Sequence, residues 1–107
     1  MNLYRIGWYE FANDPRPITY PPQAPILAWW CSGARCSDWA SVMIAYVEAE
    51  SEEEAKAAII ADWPLINEAD KEWNFCEQKD VYIPSERFSE KDWMKPRLEK
   101  WARKQQE

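Results

Sequence analysis

From Leu3 to Phe11 large apolar or aromatic residues alternate roughly with others, Tyr4, Ile6, Trp8 and Tyr9 standing out, and this period of two predicts an opening strand. The pattern then breaks. Pro15, Pro17, Pro21, Pro22 and Pro25 crowd the stretch from Asn13 to Pro25, and each removes a backbone donor and fixes φ. No regular ladder survives that density, so residues 13–25 read as an extended, semi-rigid surface loop. Ile26 to Cys31 is an apolar, tryptophan-bearing run that predicts a second strand, with Ser32, Gly33 and Ala34 as turn residues before Cys36. The clearest strand is Ser41 to Ala49, SVMIAYVEA, which sets Val42, Ile44 and Tyr46 on one face and Met43, Ala45 and Val47 on the other. Both faces are apolar, which predicts a central position in the sheet.

A helix follows. Ser51 with Glu52, Glu53 and Glu54 forms a capping box, in which the serine oxygen accepts from an early helical amide and Glu54 reaches back to the serine N–H. The three carboxylates also sit at the positive end of the helix dipole. Ala55, Ala58, Ile59 and then Asp62 or Trp63 keep helical spacing, and Pro64 stops the helix. Trp73 to Ile83 predicts one further strand, or two short ones, before Pro84. Ser89 can cap a final helix bearing Trp93, Met94, Leu98 and Trp101, of which the last three share a face. Pro96 either kinks that helix or marks the first turn of one that begins near Lys95.

Strand, loop, strand, strand, helix, strand, helix describes an α+β fold: a mostly antiparallel sheet of three to five strands with two helices packed on it. With 107 residues, 47% hydrophobic and 30% charged, the chain reads as a single globular domain over residues 1–107, its C-terminal end expected to fray. The N-terminal MNLYRIGWYE carries charges and aromatics where a signal peptide needs an apolar run, and no segment reaches membrane-spanning length. Cys31, Cys36 and Cys76 are an odd number, which suits a reducing compartment. A cytoplasmic protein is therefore expected.

Composition sharpens the functional reading. There are eight tryptophans and no histidine, and Gly7 and Gly33 are the only glycines. Without histidine the commonest general base and zinc ligand is missing, and two isolated glycines make no phosphate loop. A binding module is favoured over an enzyme, with no cofactor and no metal expected. Three cysteines leave a zinc site one ligand short unless a carboxylate such as Asp38 or Glu77 joins, and the Cys31–Cys36 spacing is not that of a zinc knuckle. Those two cysteines flank a four-residue turn and, in a hairpin, could face one another across neighbouring strands; buried or hairpin thiols are the preferred reading over a disulfide. A carboxylate-based enzyme would need two acids with separated pKa values, and no two are singled out.

Tryptophans and charge supply the candidate chemistry. Trp8, Trp63, Trp93 and Trp101 occupy strand or helix positions expected to face the core, whereas Trp29, Trp30, Trp39 and Trp73 fall near the proline loop and turns. Adjacent Trp29 and Trp30 point to opposite faces of a strand, so that one can be core and the other exposed or covered by a helix. The net charge of −6 disfavours direct nucleic-acid binding and suits a partner with a basic surface. Residues 48–80 are rich in carboxylates, Glu52, Glu53, Asp70 and Glu72 among them, whereas Lys91, Lys95, Arg97, Lys100, Arg103 and Lys104 make the last helix basic.

In length, acidity, lack of histidine and of a cofactor loop, and in its strand-to-helix unit from Val42 to Trp63, the chain resembles the small proteins that phages and mobile elements encode against host defences, anti-CRISPR proteins among them. That resemblance implies a non-catalytic inhibitor of a larger nucleic-acid-handling complex. Glu52, Glu53, Asp70 and Glu72 would be its electrostatic contacts, and Trp29 or Trp30 its anchor. The alternative is a small-ligand or carbohydrate-binding module using exposed tryptophans beside the proline loop.

Overall fold

The alternation at the N-terminus becomes β1 (Asn2–Glu10), followed by β2 (Ile26–Ser37), β3 (Ala40–Ala49), α1 (Glu52–Asp62), β4 (Glu72–Lys79) and α2 (Lys91–Gln105) in a computed structural model of the chain. The structure describes residues 1–10, 25–37, 40–63, 72–79 and 91–105. The proline-rich stretch up to residue 24, Trp39, Pro64, Asp70, Pro84, Ser89 and the last two residues lie outside the described residues.

The four strands form one sheet in the order β2-β3-β1-β4, and each neighbouring pair is antiparallel. With its two helices this is an α+β fold, and the radius of gyration is 13.1 Å, close to the roughly 13 Å of a compact chain this long. β3 is internal, as its two apolar faces predict. β3 and β4 lie on either side of β1 and are both antiparallel to it, so they run parallel to one another. Parallel strands need a crossover, and the segment that begins with α1 is that connection.

Cross-strand register sorts the side chains into two faces. Trp8 pairs with Met43, Ile6 with Ala45 and Tyr4 with Val47, and Trp29 pairs with Ala45 from the far side of β3. This face meets α1: the Trp63 ring lies 5.0 Å from that of Trp8 and 6.1 Å from that of Trp29, both edge-on. On α1 itself Ala55, Ile59 and Asp62 are buried, a spacing of four and three that makes one helical stripe. The opposite face carries Trp30, Ile44 and Tyr46, with the Trp30 and Tyr46 rings 5.9 Å apart. Arg5 bridges strands there, its guanidinium carbon 5.7 Å from the Trp30 ring and 4.9 Å from that of Phe75.

Two local expectations are corrected, and one open alternative is decided. Ser32, Gly33 and Ala34 do not turn the chain; β2 runs through them to Ser37, opposite Ala40, and the reversal falls between those two residues. The register shifts between Cys31 and Arg35, so the small residues form an irregularity within the strand, a common use of glycine there. Cys31 and Cys36 consequently occupy one strand five positions apart, about 15 Å along it, and cannot face one another across a hairpin. Pro96 is the sixth residue of α2 rather than part of its first turn. Met94, Leu98 and Trp101 share the buried face as expected.

Gly7 leaves room for a ring of the neighbouring strand. It pairs with Ile44 and Phe75, and β1 and β4 shift register immediately after it. An ideal Cβ at this position would stand 2.5 Å from Phe75 Cε1, and the ring that would have to yield is the one under Arg5. Gly7→Ala is therefore expected to destabilise the fold by about 1–3 kcal/mol in urea unfolding, as overpacking does. In the Phe75→Leu background the same substitution should cost measurably less; equal costs in both backgrounds would refute the steric account.

Candidate functional site

The joint between β3 and α1 gathers the acidic side chains. Ser51 has extended backbone, and its Oγ accepts from Glu54 N at 3.2 Å. Glu54 Oε2 accepts in turn from Glu50 N at 3.0 Å, one residue before the serine that the capping box predicts. Asn2 Nδ2 donates to Glu50 O at 3.4 Å and ties the joint to the start of β1. These bonds fix the backbone, while Glu50, Glu52, Glu53 and Glu54 remain exposed at the helix N-terminus. The helix dipole favours carboxylates there, so the negative charge is held at little local cost.

β4 borders this turn. Lys56 Nζ lies 4.0 Å from Glu52 Oε2 and 5.4 Å from the Trp73 ring centroid. Trp73 is half-buried, its ring 6.4 Å from Trp8, so it joins the tryptophan cluster of the core to the surface beside α1. Two positions beyond Cys76 on this edge, Gln78 is exposed, and Glu77 is exposed and pairs with Lys79 at 3.1 Å. Burial pushes the Cys76 thiol up from 9.0 to about 12, reinforced by a hydrogen bond to Glu52 and by the charge of that carboxylate. The result is a described surface of Glu50, Glu52, Glu53 and Glu54 beside one half-exposed tryptophan, an arrangement that can attract and seat a cationic surface, whereas Glu77, paired with Arg5, belongs to the sheet face turned away from α1.

The residues expected from sequence fall differently. Glu52 and Glu53 lie on this surface. Glu72 begins β4, opposite Tyr9, at the other end of that strand from Glu77, and Asp70 lies outside the described residues. Trp29 and Trp30 are corrected as anchors: they are only 4% and 5% exposed, one packed against Trp63 and the other against Tyr46. Their opposite orientations are as expected, but both faces of the sheet are covered where they point. Glu50 is the member of this surface that sequence reasoning did not single out, whereas Trp73 was among the tryptophans expected near turns, where a surface position is possible.

A second charged feature lies along α2. Leu27, Glu48, Arg97, Lys100, Trp101 and Lys104 line a depression of about 250 Å³. Glu48 has the parity of Tyr46, so the C-terminal half of α2 reaches the sheet from the side turned away from α1. Among the described residues no group of three or more His, Cys, Asp or Glu side chains could hold a metal ion, and no helix is long and apolar enough to cross a membrane. No protein-family model matches the chain, and no curated protein or solved structure is significantly similar to it.

Cysteine chemistry offers a direct check on this geometry. Cys31 is exposed, whereas Cys76 is half-buried and its proton is held on sulfur. At pH 8 a thiol with a pKa near 12 is ionised in about one molecule in ten thousand. Iodoacetamide should therefore label Cys31 rapidly and Cys76 very slowly in the folded protein, with the difference vanishing in denaturant, as read by peptide mass spectrometry. Because folding raises this pKa, the associated stability is fully present below pH 9 and lost as pH rises towards 12. Rapid labelling of Cys76 in the folded state would contradict the placement beside Glu52.

Proposed function

We propose that the chain is a non-catalytic, cytoplasmic protein-binding inhibitor that seats its acidic helix start on a basic surface of a larger nucleic-acid-handling complex. A CRISPR or other host-defence effector is the kind of target that the resemblance in type suggests. The observation that carries this reading is the placement of Glu50, Glu52, Glu53 and Glu54 exposed on a backbone fixed by reciprocal caps, next to the half-exposed ring of Trp73. Fixed carboxylates steer association with a cationic surface, and a partly seated indole supplies apolar area at low entropic cost. Such an inhibitor needs no cofactor and no catalytic group. The acidic surface is suited to compete with nucleic acid for a basic groove rather than to bind nucleic acid itself. The alternative, a small-ligand or carbohydrate-binding module using exposed tryptophans beside the proline loop, has less support, because Trp29 and Trp30 offer no open face.

Affinity capture from a nuclease-treated bacterial lysate, with tagged wild type and the Glu52→Lys/Glu53→Lys variant side by side, tests the proposal. Wild type should recover a nucleic-acid-binding complex whose yield falls as salt rises. The charge-reversed variant, its fold checked by circular dichroism, should associate more slowly and lose most of that recovery. With the captured complex in hand, Trp73→Ala should weaken binding by about 2 kcal/mol, the scale of an interface hot spot. Equal recovery by wild type and variant, or an empty bait at every salt concentration, would overturn the proposal.

A further inference from the structure

The depression along α2 combines features that a solvated helix face does not require. Arg97, Lys100, Trp101 and Lys104 follow a spacing of three, one and three and so form one stripe of the helix. Across from them are Leu27 of β2 and Glu48 of β3. Among the described residues three cations thus share a concave surface with one carboxylate, in a chain whose net charge is −6. The helix dipole accounts for basic residues in the last turn, Arg103 and Lys104, but its influence fades before Lys100 and Arg97. Arg97 is only half exposed, and desolvation lowers its basicity. Trp101 is 4% exposed, and its Nε1–H has no hydrogen-bond partner among the described residues. A buried indole N–H without an acceptor is unfavourable, so an acceptor brought to it would be favoured.

We propose that this depression is a binding site for a small anion, a phosphate or carboxylate group, held by Arg97, Lys100 and Lys104 with Trp101 at its wall. A volume of about 250 Å³ is below the roughly 300–1,000 Å³ of pockets for drug-sized ligands, so the occupant is a compact anion. Arginine supplies paired donors in a fork suited to either group, and the lysines add charge from the rim. The site is separate from the acidic helix start, so it stands or falls independently of the inhibitor reading.

Indole N–H resonances in ¹H–¹⁵N correlation spectra report on it directly, with the Trp101 signal identified by its loss in Trp101→Phe. Sodium phosphate and sodium succinate, titrated separately at constant ionic strength set with chloride, should shift the Trp101 signal saturably while most other indoles stay in place. Saturation with one anion and not the other assigns the group. The Arg97→Gln/Lys100→Gln variant should bind about tenfold more weakly or worse. Lys104→Gln, at an exposed position, provides a second variant that leaves the packing of α2 intact and should weaken binding to a smaller extent. Linear shifts with both anions, uniform shifts of all indoles, or unchanged saturation in both variants would overturn the proposal.

Discussion

Trp63 is where the two structural layers are joined. It follows the last turn of α1, its N–H bonded back to Ile59 O at 2.9 Å, and its ring meets Trp8 and Trp29 edge-on. Trp8 in turn lies beside Trp73. One contact network therefore ties β1, β2, β4 and the end of α1 together, although these segments are far apart in sequence. Burying an indole removes about 200 Å² from water, worth on the order of 5 kcal/mol before the entropy of ordering it. Edge-to-face geometry adds direction to that burial, because ring edges and faces attract only in certain arrangements. The crossover from β3 over β1 to β4 is held at its helical end by this cluster.

The sheet is consequently apolar on both sides. Opposite α1, Trp30, Tyr46 and Phe75 form a second aromatic layer, and Arg5 extends across it between Trp30 and Phe75. A guanidinium keeps its charge while lying flat on rings, so it can span a nearly apolar surface that a lysine would fit less well. Gly7 makes room for Phe75 beside it. Tryptophan is thus used here mainly to make a two-faced sheet from a short chain.

Much of this was legible in the sequence because the strongest patterns are local. The alternation in SVMIAYVEA assigned each residue of β3 to its face, and Ser51 with Glu54 marked the start of α1 to the residue. What the pattern lacked was anything non-local. Ser32, Gly33 and Ala34 have turn composition, yet pairing with β3 carries the strand through them. The capping carboxylate of Glu54 passes Ser51 and bonds to Glu50, a choice of acceptor geometry that spacing alone does not encode. Trp29 and Trp30 were correctly set on opposite faces, but burial depends on what covers each face, and the covering elements are distant in sequence. The same limit kept Trp73, already set near turns by its sequence position, from being tied to Lys56 and Trp8, which come from other elements.

The division of labour among aromatic and charged residues constrains how the chain can act. Since Trp8, Trp29, Trp30, Trp63 and Trp101 are each at most 5% exposed, their contribution to recognition is indirect: they hold surface groups in place. The groups so held are segregated by sign. Carboxylates stand at the N-terminus of α1, and lysines and arginines run along α2, which approaches the sheet from the other side. The carboxylates lie where the dipole of α1 welcomes them, whereas on α2 the dipole accounts for Arg103 and Lys104 and not for Arg97 or Lys100. The folded molecule therefore presents two electrostatic surfaces, one of carboxylates at the start of α1 and one richer in cations along α2, where Glu48 faces them.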